Sequence, residues 1–94
     1  MINNIYNFRN EAFVIREADN EMVLVPLSDN IVDMTNIMTL NDVATDVVNS
    51  LDGKKTVREI CETLLEKYDV EKDVLERDVL NFVEEAVRRK IIEL

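Results

Sequence analysis

The chain has 94 residues, 47% of them hydrophobic, enough for one core that removes roughly 60 to 65% of the unfolded surface from water but not enough for two. Twenty acidic against eleven basic side chains give a formal charge of −9, with no histidine to change it near neutrality. Nucleic acid and anionic membrane are therefore poor partners, a lone cysteine excludes an internal disulfide, and the absence of histidine excludes the usual cysteine-histidine zinc sites.

The opening stretch Met1-Ile-Asn-Asn-Ile-Tyr-Asn-Phe-Arg-Asn10 lacks the basic-then-apolar order of a secretory signal. No apolar run approaches membrane-spanning length, and the one thiol suits a reducing compartment, so the expected location is the cytoplasm. These first residues carry no firm period. Residues 1–11 read as an N-terminal arm, either frayed or laid across the domain as a short strand, and residues 12–94 as the domain proper.

From Ala12 to Ala18, Phe13 and Ile15 alternate with Val14 and Arg16, the period of a half-exposed strand. Asp19-Asn20-Glu21 supplies a turn and Met22-Val-Leu-Val25 resumes a strand, so the pair predicts a hairpin. Pro26 cannot donate to a ladder and ends that strand or puts it at an edge. After Ser28-Asp29-Asn30 come two apolar stretches, Ile31–Met34 and Ile37–Leu40, which predict one bent strand or two short ones.

Three helices follow. In the first, Asn41 or Asp42 caps a stripe of Ala44, Val47, Val48 and Leu51, and Asp52-Gly53 stops it at the only glycine in the chain. Thr56-Val-Arg-Glu59 is a capping box opening the second, whose apolar stripe is Ile60, Cys61, Leu64, Leu65 and Tyr68. The third starts near Asp69, Glu71 or Asp73 and runs to Arg89, with Leu75, Val79, Phe82, Val83 and Ala86 inward and Arg88-Arg89-Lys90 at the negative end of its dipole. Ile91-Ile92-Glu93-Leu94 docks as a terminal strand or seals the core. The expected class is α+β, winged helix-turn-helix-like: a small N-terminal antiparallel sheet of about three strands followed by three α-helices.

No catalytic group is expected. Cys61 sits on an apolar stripe without a histidine to accept its proton, and Glu59, Glu62, Glu66, Glu76, Glu84 and Glu85 sit at positions that face water. One glycine cannot build a phosphate cradle or a calcium loop, so neither metal nor cofactor is expected. Asn49-Ser50-Leu51 is faintly like the segment that bears a carrier protein's prosthetic arm, but it lies at a helix end and the hairpin has no place in that fold. DNA binding conflicts with Glu71, Asp73, Glu76, Asp78, Glu84 and Glu85 on the third helix. What remains is recognition of a peptide or protein, in which the stretches around Val32-Asp33-Met34 and Ile37-Met38-Thr39 offer a strand edge. Met34 and Met38 serve either as adaptable groove lining or as ordinary core, and Val74, Arg77, Asp78 and Asn81 either face a ligand or are plain surface.

Met22-Val-Leu-Val-Pro26, Ile37-Met-Thr-Leu-Asn41 leading into a helix, Leu51-Asp-Gly-Lys-Lys-Thr-Val57 with Ile60, and Lys67-Tyr-Asp-Val70 followed by Asp78-Val79 and Phe82 occur in an order and spacing that resembles the PqqD-like family (coenzyme PQQ synthesis protein D) of precursor-peptide recognition elements. The resemblance runs from Val14 to Leu94. It implies a winged helix-turn-helix turned from DNA to protein, a chaperone that binds a precursor leader peptide between its third strand and third helix. It further implies presentation of that peptide to a radical S-adenosylmethionine enzyme. Carried onto this chain, the strand side is Asp33, Met34, Thr35, Ile37 and Met38, and the helix side is Val74, Arg77, Asp78 and Asn81. Related chains often carry Trp where this one has Val47-Val48 and glycine where it has Lys90, so the expected role is leader binding in general and not PQQ synthesis. The alternative is an interaction or regulatory module unrelated to peptide modification. Open strand edges permit a homodimer as well as a monomer.

Overall fold

The computed structural model describes residues 2–27 and 37–94. Its elements in chain order are β1 (Ile5–Phe8), β2 (Phe13–Ala18), β3 (Glu21–Pro26), β4 (Met38–Leu40), α1 (Asp42–Ser50), β5 (Asp52–Thr56), α2 (Val57–Lys67), α3 (Lys72–Arg88) and β6 (Ile92–Glu93). They form two three-stranded antiparallel sheets, β2-β3-β4 and β5-β1-β6, and one apolar cluster joins Phe13, Leu24 and Leu40 of the first to Val47, Ile60, Leu64, Leu75, Val79 and Val83 of the helices. This is the α+β, winged helix-turn-helix-like plan expected from the periodicity, with a second sheet added.

The hairpin turns on Asp19 and Asn20, both at positive φ (51° and 68°), the left-handed pair a two-residue type I′ turn requires and that Asp and Asn tolerate best. Such a turn closes on its flanking pair, Ala18 and Glu21, and sets the alternation of bonded and non-bonded pairs along the ladder. Two observations agree with this parity. The Leu27 amide donates to the Ala12 carbonyl (2.8 Å), and Pro26, opposite Phe13, falls at a position where no amide is needed toward β2.

Helix boundaries follow their side-chain signals. Asn41 caps α1 by accepting from the Ala44 amide (2.8 Å), and Thr56 and Glu59 close the capping box of α2 from both sides. Glu71 precedes α3 without a side-chain cap bond. The far end of α3 is a Schellman turn: Lys90 stands at φ 60°, its amide donates to Val87, and the Ile91 amide donates to Ala86. That geometry favours glycine.

The opening residues form a strand across the domain. The middle strand of its sheet is β1, with Ile5 opposite Thr56, Asn7 opposite Asp52 and Glu93, and Tyr6 buried in the core. Backbone bonds from Arg58 to Ile2 and from Arg9 to Ile91 extend the seam beyond the strands, and the Arg9 guanidinium donates to the Lys90 carbonyl (2.8 Å). Gly53, at φ 78°, lies against Asn7 so closely that a Cβ would collide with the Asn7 side-chain amide. The terminal stretch takes the strand alternative: Ile92–Glu93 pairs with β1, and Ile91 and Ile92 are fully buried.

Candidate peptide-binding site

The ladder parity decides which way the β4 backbone points. Because Val23 is bonded to Arg16, its amide and carbonyl face β2, and those of its neighbours Met22 and Leu24 face β4, where they meet Leu40 and Met38. Thr39, opposite Val23, therefore turns its own amide and carbonyl away from β3, to the outer side of the sheet. Among the described residues no strand pairs with that side. The terminal strand β6 is occupied with β1 and does not reach it.

Beside this edge is a cleft of about 220 Å³. Thr39 and Asn41 form one lip; Val43, Ala44 and Val47 of α1 make one wall; Asp78, Val79 and Phe82 of α3 make the other. The volume is smaller than the several hundred Å³ usual for small-molecule sites and is on the scale of a side chain. A larger recess of about 360 Å³ lies between β1, β6 and the end of α3, lined by Tyr6, Arg9, Val87 and Lys90 among others, but the backbone there is already committed to the β1 ladder and its seam.

Asp78 is the expected site residue that the structure brings into this cleft. Ile37 precedes β4 and is exposed, and Val74 is exposed one turn before Asp78 on the same row of α3. Met38 shares the core-facing side of the sheet with Leu24 and Leu40 and packs, half-buried, against the core. Arg77 and Asn81 are exposed and do not line the cleft; a helical period puts Arg77 nearly opposite Leu75 and Val79. Asp33, Met34 and Thr35 lie outside the described residues. Ala44, Val47 and Phe82 were absent from the expected site because their spacing marks them as core stripe, which they also are, and Val43 lies off the stripe read for α1.

The chemistry of the remaining groups is quiet. Burial pushes the Cys61 thiol up, with the Glu76 charge adding to it, so the nucleophilic thiolate is disfavoured. Asp46 on α1 accepts from Lys67 (2.8 Å) and Tyr68 (2.5 Å), and these bonds hold its carboxyl below the usual range. Bonds from Arg89 and Arg88 do the same for Glu85. Among the described residues no cluster of acidic and cysteine side chains could hold a metal ion, and no helix is long and apolar enough to cross a membrane.

Known proteins resemble this chain in sequence and in fold. The PqqA binding protein of Rhizobium meliloti (strain 1021) is 32% identical over 57 residues, which is 61% of this chain and 58% of that protein, so the match spans less than two thirds of that relative. The structure of TbiB1 in complex with the TbiA(beta) leader peptide has the same fold, with a TM-score of 0.69 over 93% of this chain and 94% of that one at 23% identity. The family model described as Coenzyme PQQ synthesis protein D (PqqD) matches residues 21–92, most of the chain, and the protein therefore belongs to the PqqD family.

Proposed function

We propose that this protein holds the leader segment of a precursor peptide as an added antiparallel strand along β4, with side chains docking against α1 and α3, and presents it to a maturation enzyme. The observation that carries this reading is the outward-facing amide and carbonyl of Thr39 on an edge that is uncharged and, among the described residues, unpaired. Strand addition uses such groups for affinity and neighbouring pockets for specificity. The protein's own contribution is then positional: a tethered substrate meets the enzyme at an effective concentration of order mM instead of its bulk value.

Support comes from two further directions. One relative is a PqqA binding protein, and a protein of the same fold is known in complex with a leader peptide. In keeping with the family resemblance, the enzyme served is a radical S-adenosylmethionine enzyme, and the setting is the cytoplasm, where the one buried thiol stays reduced. Ile37, Met38, Val74, Arg77, Asp78 and Asn81, with Asp33, Met34 and Thr35, stand as candidates for contact; Asp78 has the best-placed side chain.

The test is a titration of isotope-labelled protein with the leader half of a short precursor encoded beside it. The Thr39 amide is expected to shift and to gain protection from hydrogen exchange, together with resonances of Val79 and Phe82. Binding that leaves residues 37–40 untouched would place the contact elsewhere.

A further inference from the structure

We infer that the cleft selects leader segments in which an apolar side chain has a lysine or arginine beside it, with Asp78 reading the positive charge; this rests on the docking of the leader along β4. The walls set the first requirement. Val43, Ala44, Val47, Val79 and Phe82 offer only hydrocarbon, so a polar side chain entering between them loses its water without gaining a partner. An apolar one gains the burial, and the polar groups of Thr39, Asn41 and Asp78 stand at the edge of the cleft and not between these walls.

The second requirement comes from the rim. Among the described residues Asp78 is the one ionisable residue lining this cleft, and no cation pairs with it. Two carboxylates on the walls' own helices are already engaged. Asp46 on α1 is taken by Lys67 and Tyr68, and Glu85, further along α3, is taken by Arg88 and Arg89. Other carboxylates on α3 are also without an ion pair, but Asp78 is the one at the cleft, in a protein whose overall charge of −9 already favours a basic ligand. A strand paired to β4 passes within a residue or two of this rim, where Lys or Arg is attracted and Asp or Glu repelled, and specificity rests on that difference between partners.

Selection from a displayed library of short random peptides tests this for any leader sequence, using the full chain, Asp78→Asn and Asp78→Lys, each first shown to keep its unfolding transition. The full chain is expected to enrich peptides with a basic residue next to an apolar one, and Asp78→Lys to enrich acidic residues in the same place. Resynthesised lysine peptides are expected to bind Asp78→Asn about two- to five-fold more weakly, the size of an exposed ion pair, with the difference shrinking at high salt. Enriched peptides that shift the Thr39 amide but show no charge bias, or a bias unchanged in Asp78→Lys, would overturn the role of Asp78 and leave leader docking standing. Enriched peptides that leave residues 37–40 unperturbed, or no enrichment at all, would overturn both.

Discussion

Among the described residues the β5-β1-β6 sheet and the β2-β3-β4 sheet each end in two edge strands, and the four edges are not alike. Lys54 and Lys55 stand on β5, whose register against β1 shifts along its length; β6 is two residues long and ends in Glu93. Arg16 and Glu17 stand on β2. Charge, irregular pairing and brevity all discourage the approach of another strand. Only β4, Met38–Leu40, carries no charge, and it is the edge beside the apolar cleft. The first sheet, woven from both ends of the described chain, serves to close the fold. The second, built from a local hairpin and the next described strand in the chain, has one side that no strand covers among the described residues.

Separating the two roles is the most direct way to break this comparison. Tyr6, 4% exposed at the centre of the first sheet, should cost about 3–5 kcal/mol when replaced by Ala, because an aromatic cavity opens and the seam between β5 and β6 loses its filling. Urea unfolding measures it. Peptide affinity of the fraction that remains folded should be unchanged; a loss of affinity in folded protein would mean that the first sheet also takes part in binding.

The next largest effect sharpens the comparison within β4 itself. Met38→Pro removes an amide bonded to Leu24 and should destabilise by about 2 kcal/mol. Thr39→Pro removes an amide that faces outward, so stability should fall by less than about 1 kcal/mol while peptide affinity falls more than tenfold. Reversed stabilities for the two variants would show that the ladder parity is the opposite of that deduced from the Asp19-Asn20 turn.

A smaller effect tests the closing sheet from its other end. Lys90 adopts a left-handed backbone that costs a non-glycine residue roughly 1 kcal/mol, so Lys90→Gly should raise the unfolding midpoint by several degrees. Its peptide affinity should not move. A fall in the midpoint would mean that the lysine side chain contributes more than its backbone strain removes.

Much of the second sheet and of the helices was legible in the sequence because their signals are local. Alternation in Phe13–Ala18, the Asp19-Asn20 turn, the Thr56/Glu59 capping box and the stripes of α2 and α3 each lie within a few residues of what they specify. Asp52–Thr56 shows the opposite case. Asp-Gly-Lys-Lys-Thr has no apolar alternation and reads as a helix stop, yet it forms β5 because the distant β1 supplies a ladder and Asn7 leaves room only for Gly53. The site divides in the same way. β4 and Asp78 were visible as an edge stretch and a surface charge, whereas Ala44 and Val47 share one apolar stripe with the core, and periodicity cannot tell a covered stripe from one left open at a cleft.

The smallest expected effect concerns what holds the α1 wall in place. Asp46 ties α1 to the end of α2 through Lys67 and Tyr68, with its side chain 25% exposed, so Asp46→Asn should cost less than about 1 kcal/mol at pH 7. Its sign with pH is fixed by the depressed carboxyl. The unfolded chain takes up its proton first, near about pH 4, so the charge contributes fully above that value and is lost as pH falls through the lower value of the folded state. Thermal unfolding of the two proteins should therefore differ at pH 7 and converge in acid. A difference that persists unchanged at low pH would trace the cost to the shape of the Asn amide and not to its missing charge, and the α1 wall of the cleft would then be held by packing alone.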